Sequence, residues 1–124
     1  MLLGPAMTIP VLLAKNNLKV KDIGVWEIHE AFAAQVLANL KLMTDKKFLQ
    51  ARLGLSESYS EVPLELVNTR GGSLSLGHPF AATGARLLHT ASLRLQESGE
   101  EYAVVSGCAA GGHGSSILLR NLSA

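Results

Sequence analysis

EYAVVSGCAAGGHGSSILLR, residues 101–120, decides how the chain closes. Two strand-like runs, EYAVVSGC and HGSSILLR, flank AAGG, whose length and small residues suit a tight antiparallel return. Just upstream, PFAATGARLLHTASLRLQES reads as a helix that Pro79 can start and Gly99 stops, with Leu87, Leu88, Ala91 and Leu95 on one face. Further back, IGVWEI is a buried strand ending near Ile28. HEAFAAQVLANLKLM, free of Gly and Pro, predicts a firm helix with Phe32, Ala33, Val36, Leu37 and Leu40 at helical spacing. A shorter amphipathic helix follows around Lys46 to Leu53, and SESYSEVP, residues 56–63, reads as an exposed loop. At the start, Thr8 caps a short helix with Pro10 in its first turn, which runs to a stop at Asn16 and Asn17. Helices alternating with strands, then a closing hairpin, predict a layered α/β domain with a mixed sheet.

Composition limits what such a domain does. The 124 residues are 48% hydrophobic and 17% charged with a net charge of +1, which fits one globular domain. Eleven Lys and Arg against ten Asp and Glu, with few aromatic residues, supply neither the basic stripe nor the stacking platform of a nucleic-acid binder. A single cysteine, Cys108, cannot close an internal disulfide or build a Cys-rich zinc site, so a free thiol in a reducing compartment is expected. MLLGPAMTIPVLLAK is apolar, but it has no basic residue ahead of the apolar stretch, contains Pro5 and Pro10, and is too short to span a bilayer. We therefore expect no signal peptide or anchor there. The lack of a polar leader before Leu2 and Leu3 raises the expectation that the chain starts inside a larger fold.

Two motifs fail on chemistry. GSLSLGHP, residues 72–79, has the glycine spacing of a phosphate loop, but His and Pro stand where a phosphate-holding Lys and a Ser or Thr are required. His29-Glu30 opens like a zinc-protease helix, yet Ala33 occupies the second ligand position, so no metal site is expected. Three reactive groups remain at strand ends or helix starts: His29, His78 and Cys108. Ligands in open α/β sheets gather at such edges. Taken singly, a buried histidine is more often hydrogen-bonded structure and a free cysteine a small core residue. Together, between glycine-rich flanks, a thiol and imidazoles that exchange protons near neutral pH favour a site.

HEAFAAQ, the N-x-x-G-G run from Asn68 to Gly72, GHPFAATGAR from Gly77 to Arg86, and CAAGGHG from Cys108 to Gly114 resemble, in order and spacing, the C-terminal part of the thiolases. The likeness extends from GPAMTIP at Gly4 onward, so residues 1–124 are expected to be part of a C-terminal thiolase domain, with the N-terminal half absent. HEAF with histidine, together with CAAGG, is similar to the β-subunit branch of fatty-acid oxidation complexes, a 3-ketoacyl-CoA thiolase. The resemblance implies that Cys108 is the catalytic acid/base and that a different cysteine, from the other half, is the nucleophile. It implies that His78 takes the nucleophile's proton and that His29 and His78 donate hydrogen bonds to the thioester oxygen. The backbone near Ala110 and Gly111 would hold the acyl oxyanion, Phe32 would line the acyl pocket, and Glu30 and Asn68 would support the site. His89 and His113 receive no role. CoA and its thioesters are then substrates, no cofactor is needed, and a homo-oligomer and an oxidation-complex α subunit are the expected partners. The compartment would be mitochondrial in a eukaryote and cytoplasmic in a bacterium. A ketoacyl synthase is disfavoured, because histidines or a His and an Asn complete that site and here position 108 is cysteine. A non-catalytic, truncated thiolase-like protein or interaction module stays open.

Overall fold

A computed structural model describes residues 2–124. Three strands make one sheet in the order β1-β2-β3, with β1 spanning Val25–Ile28, β2 Tyr102–Ala109 and β3 His113–Arg120. β1 and β2 are parallel, pairing Val25 with Ala103 and Ile28 with Ser106. β2 and β3 form the expected antiparallel hairpin, pairing Cys108 with Gly114 and Ala109 with His113. Its return uses Gly111 and Gly112, both at positive φ (83° and 80°), a conformation that side chains with a Cβ resist.

All four β1 residues are buried, because helices cover both faces of the sheet. On one face Trp26, Ile28 and Val104 pack with Ile9 and Leu13 of α1 (Gly4–Lys15) and with Val36 and Leu40 of α2 (Ala33–Leu42). On the other, Val25, Ala103 and Val105 meet Leu87, Ala91 and Leu95 of α5 (Thr83–Ser98). That stripe, spaced by four residues, is the face expected from the sequence, with Leu88 packed at its margin. α3 (Lys46–Leu53) is capped by Asp45, whose carboxylate accepts from the amides of Lys47 and Phe48. A single turn, α4 (Ser73–Leu76), was not legible in the sequence.

Helix starts depart from expectation. α1 begins at Gly4, with Pro5 in its first turn; Thr8 lies inside it and donates from Oγ1 to the Gly4 carbonyl (2.9 Å), while Pro10 is a buried interior residue. No side chain of α1 caps its own start. Asn39 of α2 does so instead: its Oδ1 accepts from the Ala6 amide (2.8 Å) and its Nδ2 donates to the Leu2 carbonyl (3.0 Å). α2 starts at Ala33, four residues past His29, because the His29 amide donates to the Ser106 carbonyl (2.8 Å) and extends the β ladder. Phe32 and Leu37 consequently face solvent rather than the core. α5 starts at Thr83 and not at Pro79, since Ala81 holds a left-handed φ of 65°. The 56–63 loop is anchored as well as exposed: Val62 is buried and the Tyr59 hydroxyl donates to the Pro10 carbonyl (2.9 Å).

One buried ion pair went unforeseen. Glu27 of β1 is 1% exposed and accepts from Arg94 Nη1 at 2.6 Å, and the same guanidinium donates to the Trp26 and Leu66 carbonyls. Burial pushes the Glu27 carboxyl up, with Arg94 opposing. No helix among the described residues is long and apolar enough to cross a membrane.

Candidate active site

Parallel pairing puts the carboxyl ends of β1 and β2 at the same sheet edge. His29 follows β1 directly, and Cys108 is the penultimate residue of β2. Gly107 lies beside His29, and a Cβ there would sit at an ordinary contact distance of 3.7 Å from His29 Cβ. His78 enters from the loop between α4 and α5, where Gly77 turns the chain at a φ of 92°. The rings of His29 and His78 are 4.1 Å apart and tilted by 38°. Both imidazoles and Cys108 line one pocket of about 200 Å³, whose apolar wall includes Leu87, Leu88 and Ile117. Groups separated by up to 79 residues are thus brought together. A larger groove, about 610 Å³ between the end of α1 and the loop from Leu55 to Ser60, holds none of them.

The supporting bonds explain the glycine motifs. Asn68, at a φ of 49°, lies along β1: its Oδ1 accepts from the Ile28 amide and its Nδ2 donates to the Ile28 carbonyl, both at 2.8 Å. The same Nδ2 donates to Glu30 Oε1 (2.8 Å), and Glu30 Oε2 accepts from the Leu74 amide (3.0 Å). A Cβ at Gly72 would run into that carboxylate at 2.3 Å, so only glycine lets the two meet. Glu30 and Asn68 therefore tie α4 to the end of β1. A second close approach sits under the hairpin, where a Cβ at Gly114 would meet Gly4 Cα at 2.4 Å.

Each imidazole is held through Nδ1: His29 to Ser73 Oγ at 2.8 Å, His78 to Thr83 Oγ1 at 2.7 Å. Thr83 Oγ1 also reaches the Pro79 carbonyl (3.2 Å); with its proton placed there, it accepts from His78 Nδ1–H. In the neutral ring this leaves a lone pair on Nε2, the form a general base requires. Arg86 donates to Ser73 Oγ (2.9 Å) and to the Gly77 carbonyl (3.0 Å). Burial, with the neighbouring His78 and Arg86, holds the His29 imidazole below its ordinary value, while Glu30 pulls the other way. Burial pushes the Cys108 thiol up, partly offset by a backbone hydrogen bond. The upward shift favours the protonated thiol, the form that an acid requires.

The remaining residues singled out from the sequence lie outside the pocket. Phe32 is 65% exposed, and Ala110 and Gly111 form the exposed hairpin tip next to Cys108. His89 and His113 are exposed on α5 and β3. Ser73, Thr83 and Arg86 were missed; all three fall inside GSLSLGHPFAATGAR, where the motif was read for its glycines and histidine alone.

The profile of the thiolase C-terminal domain matches residues 1–121. This chain belongs to the thiolase family. A probable 3-ketoacyl-CoA thiolase of Caenorhabditis elegans is 50% identical over 119 residues, 96% of this thiolase chain and 27% of the relative. The mitochondrial trifunctional enzyme subunit beta of Bos taurus is 48% identical over 119 residues, 96% of this chain and 25% of the relative. Among solved structures, human mitochondrial 3-ketoacyl-CoA thiolase superposes with a TM-score of 0.76 at 31% identity, covering 97% of this chain and 26% of that one. Its complex with CoA superposes with a TM-score of 0.75. The thiolase chain described here thus spans about a quarter of the length of these relatives, and its fold is the thiolase fold.

Proposed function

We propose that this domain supplies the acid/base and oxyanion-binding groups of a 3-ketoacyl-CoA thiolase, which cleaves 3-ketoacyl-CoA to acetyl-CoA and a shortened acyl-CoA in fatty-acid β-oxidation. The observation that carries the reading is a free, half-buried thiol, Cys108, lining the same pocket as two imidazoles. A nucleophilic thiol from outside these 124 residues attacks the ketone, and His78 Nε2 takes its proton. Carbon–carbon cleavage releases the acetyl-CoA enolate, whose carbon takes the proton of Cys108. The resulting thiolate then accepts the proton of the incoming CoA thiol, whose sulfur attacks the acyl-enzyme and restores the free nucleophile. His29, and His78 once protonated, donate hydrogen bonds to the thioester oxygen as it gains charge. Amides near Ala110 and Gly111 serve the acyl oxyanion, Phe32 contacts the acyl chain, and Glu30 and Asn68 hold the frame.

CoA and acyl-CoA act as substrates in this scheme, without a metal or prosthetic group. Residues 1–124 function as part of a C-terminal thiolase domain, within a homo-oligomer and alongside an oxidation-complex α subunit. The compartment is the mitochondrion in a eukaryote and the cytoplasm in a bacterium. With its one thiol, Cys108, assigned to proton transfer, the chain by itself should not cleave 3-ketoacyl-CoA; the alternative reading is a non-catalytic thiolase-like module.

Cys108→Ser in a complete thiolase carrying these residues tests the reading. Turnover should fall about 10³-fold, the scale of a lost general acid/base, while mass spectrometry still detects slow acylation of the nucleophile. Near-normal thiolysis by the variant would remove the acid/base role. Thiolysis by the pure 124-residue chain would make Cys108 the nucleophile.

A further inference from the structure

Ser73 has one hydroxyl proton and two neighbours within hydrogen-bond distance. One is Arg86 Nη2, at 2.9 Å, and a guanidinium only donates. The other is His29 Nδ1, at 2.8 Å. Ser73 is buried, and these two are the hydrogen bonds its hydroxyl oxygen makes among the described residues. Arg86 is held in place by its second bond, from Nη1 to the Gly77 carbonyl at 3.0 Å. Its donation fills one lone pair of Ser73 Oγ and directs the hydroxyl proton toward the ring.

We infer that Ser73, fixed by Arg86, is a positioning residue that makes His29 Nδ1 an acceptor and so holds His29 as the Nε2–H tautomer. His29 and His78 are then opposite tautomers 4.1 Å apart: Thr83 accepts from one ring, and Ser73 donates to the other. The difference lies in where each hydroxyl proton goes. Thr83 sits one helical turn after the Pro79 carbonyl and bonds back to it, whereas Ser73 in the first turn of α4 faces a guanidinium that takes its lone pair. One ring offers the pocket a hydrogen, the other a lone pair, and two neutral imidazoles divide donor and base duties without a charge. The depressed ionisation of His29, from burial and from His78 and Arg86, agrees with a ring that works uncharged. The catalytic meaning of this tautomer rests on the thiolase reading; the tautomer itself does not.

Nitrogen-15 NMR of the histidine side chains in this chain, at a pH above neutrality, reads the tautomer directly. His29 should show an unprotonated Nδ1 and a protonated Nε2, and His78 the reverse. Ser73→Thr keeps the hydroxyl and should keep the pattern, whereas Ser73→Ala should move His29 toward a mixture with Nδ1–H. In a complete thiolase, Ser73→Ala should lower kcat about tenfold, a fraction of the ~10²-fold cost of an oxyanion donor, with KM little changed and Ser73→Thr near wild type. A protonated Nδ1 on His29 in the unaltered chain overturns the inference, and this reading needs no variant to fold. So does a Ser73→Ala protein with the tautomer and kcat both unchanged. The predicted tautomer in a complete enzyme that fails to cleave 3-ketoacyl-CoA would reject the thiolase reading and leave the positioning role intact.

Discussion

The two faces of the sheet are covered by helices in different ways. Under α1 and α2 the contact is apolar with neutral polar groups at its margin: Ile9, Leu13, Trp26, Ile28, Val36 and Leu40 are all buried, Asn39 bonds α1 as well as the Gln35 carbonyl, and Thr8 of α1 shares a hydroxyl hydrogen bond with Ser116 of β3. Under α5 a smaller apolar cluster shares the interface with the buried Glu27–Arg94 pair. Toward the sheet edge, the same side carries Arg86 and Thr83, which hold the histidines. The apolar side makes the domain stable, and the polar side carries the chemistry. Charges can be kept under α5 only because each is matched by a partner fixed on another element; Arg94 alone bonds to β1 twice and to the loop before Asn68 once.

That contrast breaks most sharply at Arg94. Arg94→Met leaves Glu27 buried without its cation, and stability should fall by about 4 kcal/mol in denaturant titration. Adding Glu27→Leu should recover most of the loss, since replacing both charges restores an apolar contact; no recovery would mean that the carbonyl bonds of Arg94, and not the ion pair, hold α5. On the opposite face Leu13→Ala should cost about 3 kcal/mol, as deletion of a fully buried side chain leaves a cavity. Its cost should be independent of salt and nearly independent of pH, while a pH-dependent cost would deny the division between the faces.

The smallest effect is the titration of His29. Its ionisation is depressed below the ordinary 6.5, so the folded state disfavours the proton. The corresponding stability is present above about pH 6.5 and is lost as pH falls through the lower folded value. The melting temperature should therefore drop on moderate acidification, and His29→Asn should flatten the drop. Glu27 has the opposite sign: its raised carboxyl pKa contributes stability at low pH that fades as pH rises through the folded value. A melting temperature rising from neutrality into mild acid would assign the dominant titration to Glu27 instead of His29.

Much of the fold was legible locally. A β-branched apolar run marks β1, strand-like runs mark β2 and β3, small residues mark the hairpin, and the Leu87–Ala91–Leu95 stripe marks the inner face of α5, because these signals depend only on neighbours a few residues away. His29, His78 and Cys108 were legible from the glycine-rich motifs around them, since the positive φ at Gly77, Gly111 and Gly112 and the close contact of Gly72 with Glu30 favour glycine in the sequence itself. Helix starts were not, because partners far along the chain decide them. The Ser106 carbonyl keeps His29 on the β ladder, and Asn39 caps α1 from a different helix. Glu27 and Arg94 read separately as two ordinary charges, 67 residues apart, until β1 and α5 pack. The same holds for the histidine tautomers. Sequence determines that two imidazoles and a thiol are present, but whether each ring offers a hydrogen or a lone pair depends on the hydroxyl beside it and on what else that hydroxyl bonds. A proton on a shared oxygen goes to whichever acceptor the tertiary structure leaves open, and for Ser73 and Thr83 packing leaves a different one open.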